Sequence, residues 1–131
     1  MAKSALHKKG TEMRRKLMGE AFTDKLDKTV YSSPIMQKFG EVTREAIFGT
    51  LWTRPGLDLK TRTMVTVVSD TATGRTPELR MHLRMALNQG WTENELVEAM
   101  VHLIGYVGAP TVREAMIMAG EVFAEIKADK K

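Results

Sequence analysis

Three prolines divide this chain, at Ser33-Pro34, Thr76-Pro77 and Ala109-Pro110, and each is followed by apolar residues spaced three and four apart. Proline costs least at the first turn of a helix, where the amide hydrogen it lacks would have had no partner. The stretches so opened carry Ile35, Phe39, Val42, Ala46 and Ile47; then Leu79, Leu83, Ala86 and Leu87; then Val112, Met116, Ala119, Val122, Phe123 and Ile126. Turn and stop signals separate them at Arg54-Pro55-Gly56, Gly74, Asn88-Gln89-Gly90 and Gly105 to Gly108. Three further helices are predicted. One spans about 5–24 on Leu6, Met13, Leu17, Met18 and Phe22, weakened at its start by Gly10. Another runs from Asp58 as cap to Gly74. The third follows Thr92-Glu93-Asn94-Glu95, a capping box in which Thr92 and Glu95 satisfy each other's backbone amides.

Thr63 to Val68 is rich in β-branched residues and reads locally as strand. With helices on both sides and no partner strand in sight, helix is the consistent assignment. The prediction is an all-α fold, a single helical domain of about six helices. The chain of 131 residues holds one core and no second domain of ordinary size.

Charge refines this picture. Residues 1–30 hold eight Lys or Arg against four acids, which accounts for the whole net charge of +4. The rest of the chain is balanced. A nucleic-acid binder carries its basic face on the folded body, so residues 1–30 read as a basic N-terminal helix or arm in solvent, with no nucleic-acid partner. Residues 31–127 form the helical domain proper. No apolar run reaches the roughly 18–20 residues of a membrane span, and MAKSALHKKG has no apolar core of a secretory signal. A cytoplasmic location is the expectation. Without cysteine there is no disulfide framework and no thiolate chemistry.

Several stretches carry a resemblance when taken together and in order. They are Leu51-Trp52-Thr53-Arg54-Pro55-Gly56-Leu57, Thr61-Arg62-Thr63-Met64-Val65-Thr66, Gly74-Arg75, Glu78-Leu79-Arg80-Met81-His82-Leu83-Arg84, Ala86-Leu87-Asn88-Gln89-Gly90 and Tyr106-Val107-Gly108-Ala109-Pro110. Over roughly residues 35–123 the chain resembles the carboxymuconolactone decarboxylase family. The resemblance implies a fold shared with alkylhydroperoxidase D and a homo-oligomer, trimer or hexamer. Peroxidase-like members of that superfamily use Cys-x-x-Cys-x-x-x-His. Counting back from His82, Arg75 and Glu78 stand where those cysteines would be, so a thiol peroxidase is excluded.

The decarboxylase members keep the Glu-x-x-x-His spacing of Glu78 and His82. By that resemblance the reaction removes a carboxylate from an unsaturated lactone. The conjugated ring carbonyl takes up the electron pair, and no metal or organic cofactor is needed in principle. Four residues apart on a helix, Glu78 and His82 are neighbours. A carboxylate there would fix the imidazole and favour its protonated form, making His82 the proton donor and Glu78 its orienter; the alternative is a surface ion pair. Arg62 or Arg75 would hold a substrate carboxylate through its planar fork, or stand as a solvated or inter-subunit arginine. Trp52 and Tyr106 would wall a pocket or fill a core or interface. Asp70, in the polar run Ser69 to Thr73 where family members carry apolar residues, either bonds locally to Thr or Arg or lines the pocket. His102 reads as a hydrogen-bonded core histidine. His7, His82 and His102 are too scattered for a zinc motif.

The function this implies is a cofactor-independent lyase acting on a small carboxylated unsaturated or lactone compound in aromatic catabolism. The alternatives are a divergent member with another proton-transfer or ring reaction, or a non-catalytic oligomeric binding protein.

Overall fold

The computed structural model describes residues 3–130, leaving Met1, Ala2 and Lys131 outside, and every regular element among them is helical. Thr63 to Val68 lies inside a helix, as its neighbours require. The described residues form nine helical segments rather than six, because several predicted helices break in two. They fall into two compact units that divide between Asp58 and Leu59.

The N-terminal unit opens with α1 (Ala5–Met18), capped by Ser4, whose hydroxyl accepts from the His7 amide at 3.0 Å. The predicted helix over 5–24 stops at Gly19, which has φ 86°, and α2 (Glu20–Thr29) begins on a new axis. Ser33 then caps α3 (Pro34–Thr43), accepting from the Met36 amide at 3.2 Å. At Arg44 the chain widens into a π-helical segment, Arg44–Leu51. The Trp52 amide closes it by reaching the Ile47 carbonyl, five residues back, at 3.0 Å.

The buried face of α1 is His7, Gly10, Arg14, Leu17 and Met18. That differs from the predicted stripe, since Leu6 is 39% exposed. Gly10 is the reason. A Cβ there would lie 1.7 Å from the Arg44 carbonyl oxygen, and one at Gly49 would lie 2.8 Å from the Leu6 carbonyl oxygen. The helix turns its two-glycine crossing inward, and the polar residues in register with Gly10 follow. Arg14, expected in solvent, is therefore buried, while Arg15 stays outside and pairs with Asp24 at 3.0 Å and with Glu20.

His7, on this buried face, has its pKa held below the usual 6.5 by burial first, then by the charges of Lys3 and Arg44, with Glu45 and Glu41 opposing. A histidine depressed in the folded state binds its proton more readily when unfolded. Its stabilising contribution is complete above pH 6.5 and declines as pH falls from there to its folded value. Glu95 and Glu125 are also lowered, by hydrogen bonds from Thr92 and Arg80 respectively, but from 4.5, so their contributions fade in a more acidic range. Thermal melts from pH 7 to about 5 should show falling stability, and His7→Gln should flatten that fall. An unchanged slope in the variant would remove His7 from the account.

The C-terminal unit contains α4 (Leu59–Thr73), α5 (Thr76–Asn88), α6 (Glu93–His102), the short α7 (Ile104–Val107) and α8 (Ala109–Asp129). Its core joins Val67 of α4, Leu79, Leu83 and Ala86 of α5, Leu96 and Met100 of α6, and Val112, Ala115, Ala119, Val122 and Phe123 of α8. Small residues along α8 let its neighbours close in. Outside the core, α5 is tied to α8 by Arg80 to Glu121 at 3.1 Å, Arg80 to Glu125, and Arg84 to Glu125 at 3.2 Å. The Thr92–Glu95 capping box forms with both bonds, 3.1 and 3.0 Å. Thr76, which with Pro77 reads as the cap of this helix, is instead its first helical residue after Arg75, which makes no side-chain cap bond. His102 is exposed rather than in the core, because it ends α6 on the side away from Leu96 and Met100, and its ring meets Tyr106 at 5.1 Å.

Among the described residues no helix is long and apolar enough to cross a membrane.

Candidate functional site

The turn between α4 and α5 builds the site. Gly74, at φ 71°, donates its amide to the Thr71 carbonyl at 3.4 Å, and Arg75 donates to the Asp70 carbonyl at 2.9 Å. This pair of bonds is a Schellman cap. It satisfies the last carbonyls of α4 and reverses the chain within a few residues, so the last turn of α4 lies beside α5. The two helices are the N- and C-terminal arms of one hairpin.

Across that hairpin the Asp70 carboxylate accepts a hydrogen bond from His82 Nδ1. Asp70 is 6% exposed and the His82 side chain 20% exposed. The carboxylate is thus shielded from water while the imidazole is partly exposed. An ionised carboxylate so buried is tolerated only with a partner, and the ring supplies it. With Nδ1–H donating to Asp70, the proton-exchanging nitrogen left for chemistry is Nε2.

The polar residues around Asp70 are absorbed by the helix itself. Thr71, buried, donates its hydroxyl to the Val67 carbonyl at 2.8 Å, and Thr73 donates to the Ser69 carbonyl at 2.7 Å. Ser69 and Thr73 face solvent. Asp70 alone of this run is aimed at another element, and its partner is neither Thr nor Arg.

The structure brings only some of the predicted residues together. Glu78 is exposed in the first turn of α5 and makes no hydrogen bond or ion pair with His82 among the described residues. The ring turns inward to Asp70 instead. Arg75 is exposed immediately after the turn that holds Asp70, and Arg62 is half-buried two turns earlier on α4. Tyr106 is 75% exposed, beside His102. Trp52 is buried and belongs to the N-terminal unit. No group of three or more His, Asp or Glu side chains is placed to hold a metal ion among the described residues.

Comparison with known proteins bears on the region containing this pair. The model of the carboxymuconolactone decarboxylase family matches residues 37–121. The 4-carboxymuconolactone decarboxylase of Acinetobacter baylyi is 38% identical over 120 residues, covering 92% of this chain and 88% of that protein. The nitrosuccinic acid decarboxylase npaB of Metarhizium robertsii is 34% identical over 113 residues, covering 86% of this chain and 78% of that protein. An uncharacterized 15.0 kDa protein of Paracoccus denitrificans, from the nqo9-nqo10 intergenic region, is 37% identical over 83 residues, or 62% of each chain.

Proposed function

We propose a function from one established premise: this chain belongs to the carboxymuconolactone decarboxylase family. The reading is a cofactor-independent carbon–carbon lyase that decarboxylates a small acid whose departing carboxylate is conjugated, or adjacent, to an electron acceptor. The observation that carries it is the buried Asp70 on the Nδ1 edge of His82, whose side chain stays partly exposed.

The substrates named for two relatives share a chemical logic. In 4-carboxymuconolactone the electron pair left by carbon dioxide passes to the ring carbonyl. In nitrosuccinic acid the nitro group can take it. In each case the bond from carbon to the carboxylate breaks, carbon dioxide leaves, and the carbanion equivalent is trapped as an enolate or nitronate before a proton returns to carbon. His82 is the group assigned to that proton, through Nε2. Asp70 holds the ring's orientation and balances the imidazolium before transfer. Glu78 then has no part in orienting the ring. Arg75, exposed beside the cap, is the proposed grip for the substrate carboxylate, its fork matching two oxygens. Arg62, Trp52 and Tyr106 remain candidates for the substrate's surroundings.

The substrate is tested by following carbon dioxide release from 4-carboxymuconolactone and from nitrosuccinate with the purified chain. Turnover of the lactone supports a role in aromatic catabolism, and turnover of nitrosuccinate alone moves the reading to nitro acids. Release from neither acid would contradict the decarboxylase reading for both substrates. Arg75→Gln should raise KM about tenfold with little change in kcat if it grips the ground state and transition state alike. An unchanged KM would remove that grip.

A homo-oligomer, trimer or hexamer, is part of the same proposal. On α3 the predicted apolar stripe stays uncovered, with Ile35 80%, Phe39 52% and Val42 65% exposed. Apolar rows of this kind are commonly covered by a subunit contact. Light scattering should then give a multiple of 14.7 kDa, and a monomer would contradict it.

A further inference from the structure

A second feature lies wholly within the N-terminal unit, and none of its lining residues is given a role in the proposed decarboxylation. A concavity of about 680 Å³ opens between α1, α2 and α3, and His7, Asp27, Tyr31, Lys38 and Arg44 are among the residues lining it. Two guanidinium groups meet on a single carboxylate oxygen of Asp27, one of the lining residues. Arg14 Nη1 lies 2.9 Å and Arg44 Nη2 3.3 Å from Asp27 Oδ1. The Arg14 side chain is only 5% exposed, and its Nη2 is buried with no hydrogen-bond partner among the described residues.

One carboxylate cannot neutralise two guanidinium ions, and holding like charges together in a desolvated place is costly. Burial, followed by the charge of Arg14, lowers the pKa of Arg44, with Asp27 only partly offsetting them. Lys3 and Lys38 in the lining add positive charge, against the carboxylates of Glu41 in the lining and Glu45 near His7. The cluster therefore has room, and an electrostatic preference, for one more anion.

The placement of Arg44 is itself built. A Cβ at Gly40 would fall 2.6 Å from Arg44 Nη1, so the guanidinium occupies the space that a side chain on α3 would fill. Beside it the lining holds the aromatic ring of Tyr31, and Pro34. The Tyr31 ring stacks on Phe39 at 6.4 Å with an interplanar angle of 17°, and Arg14 covers the Tyr31 ring at 5.0 Å. A planar fork beside an aromatic ring suits a carboxylate carried on a flat organic body better than a bare tetrahedral anion.

We propose that this concavity binds a small planar organic carboxylate, with Arg44 contacting the carboxylate and Arg14 holding Asp27 and the excess charge behind it. Titration of the full chain with sodium benzoate, followed residue by residue through backbone amide NMR shifts, tests this. Shifts should centre on Thr11, Tyr31 and Gln37. Arg44→Gln should weaken binding by about tenfold or more, the loss expected for a charge-assisted fork.

Gly40→Ala separates binding from folding. Alanine favours helix over glycine, so the melting temperature should hold or rise while the displaced guanidinium lowers benzoate affinity. Should Arg44→Gln fail to fold, Gly40→Ala and the lining variant Lys38→Gln carry the test, each expected to weaken binding. Three results would overturn the proposal: no benzoate binding, shifts confined to residues around His82, or unchanged affinity in Gly40→Ala. Inorganic phosphate binding more tightly than benzoate would overturn the assigned ligand class.

Discussion

Asp70→Asn should lower kcat for decarboxylation by about a hundredfold while leaving KM within a few-fold, and Glu78→Gln should leave both nearly unchanged. The contrast follows from the hairpin. Asp70 is buried and accepts from His82 Nδ1, whereas Glu78 is exposed in the first turn of α5. An asparagine in place of Asp70 keeps the volume. It loses the negative charge that balances an imidazolium, and its amide can present either an acceptor or a donor to the ring, so the tautomer is no longer fixed. If the role were only structural, the loss would appear in the melting temperature and not in kcat. A loss in Glu78→Gln as large as in Asp70→Asn would restore the pairing that helix spacing suggests, and an unaffected Asp70→Asn would remove the carboxylate from the mechanism.

The second large effect concerns the N-terminal unit. Gly10→Ala should destabilise the protein by about 1–3 kcal/mol or more, against the roughly 1 kcal/mol that alanine otherwise gains over glycine in a helix. The added carbon would stand 1.7 Å from the Arg44 carbonyl oxygen. That neighbour is backbone, so no rotamer change relieves the clash, and α1 must move away from the π-helical segment. Gly120→Ala on α8 is the control, since a Cβ there meets nothing within 4 Å; it should hold or raise the melting temperature. Denaturant melts of the two variants give the comparison directly. Equal stability in both would mean that α1 does not cross the π-helical segment so closely.

Gly10 also marks where sequence reading reached its limit. In a helix a glycine reads as a weakness, and Leu6, Met13 and Leu17 define the apolar stripe. Only the partner backbone explains it, because close approach is a property of two segments at once. The same rotation of α1 buried His7 and Arg14, so a segment legible as a solvated basic arm in fact holds a buried arginine on Asp27. A signal was available: His7, Gly10, Arg14 and Leu17 share one helical face.

The C-terminal unit was more legible, because proline at helix starts, glycine at helix ends and the Thr92–Glu95 box are local and strong. The candidate site is legible only in its separate residues. His82 and Asp70 each stand out in the sequence, but the spacing rule for neighbours on one helix favours Glu78, and Asp70 reads as having a local Thr or Arg partner or a place on a pocket wall. Their pairing depends on the register between two helices, which the Gly74 cap sets. A tight reversal there is readable from Gly74 and Pro77, and it points the last turn of α4 at α5.

The central claim is that His82, held by Asp70, returns the proton in a decarboxylation. The direct measurement is carbon dioxide release and product formation by wild type and His82→Gln on whichever of the two acids the wild type consumes. The account predicts that the folded variant loses activity by about a hundredfold to ten-thousandfold, the range of a general acid. A folded His82→Gln protein with wild-type turnover would contradict it.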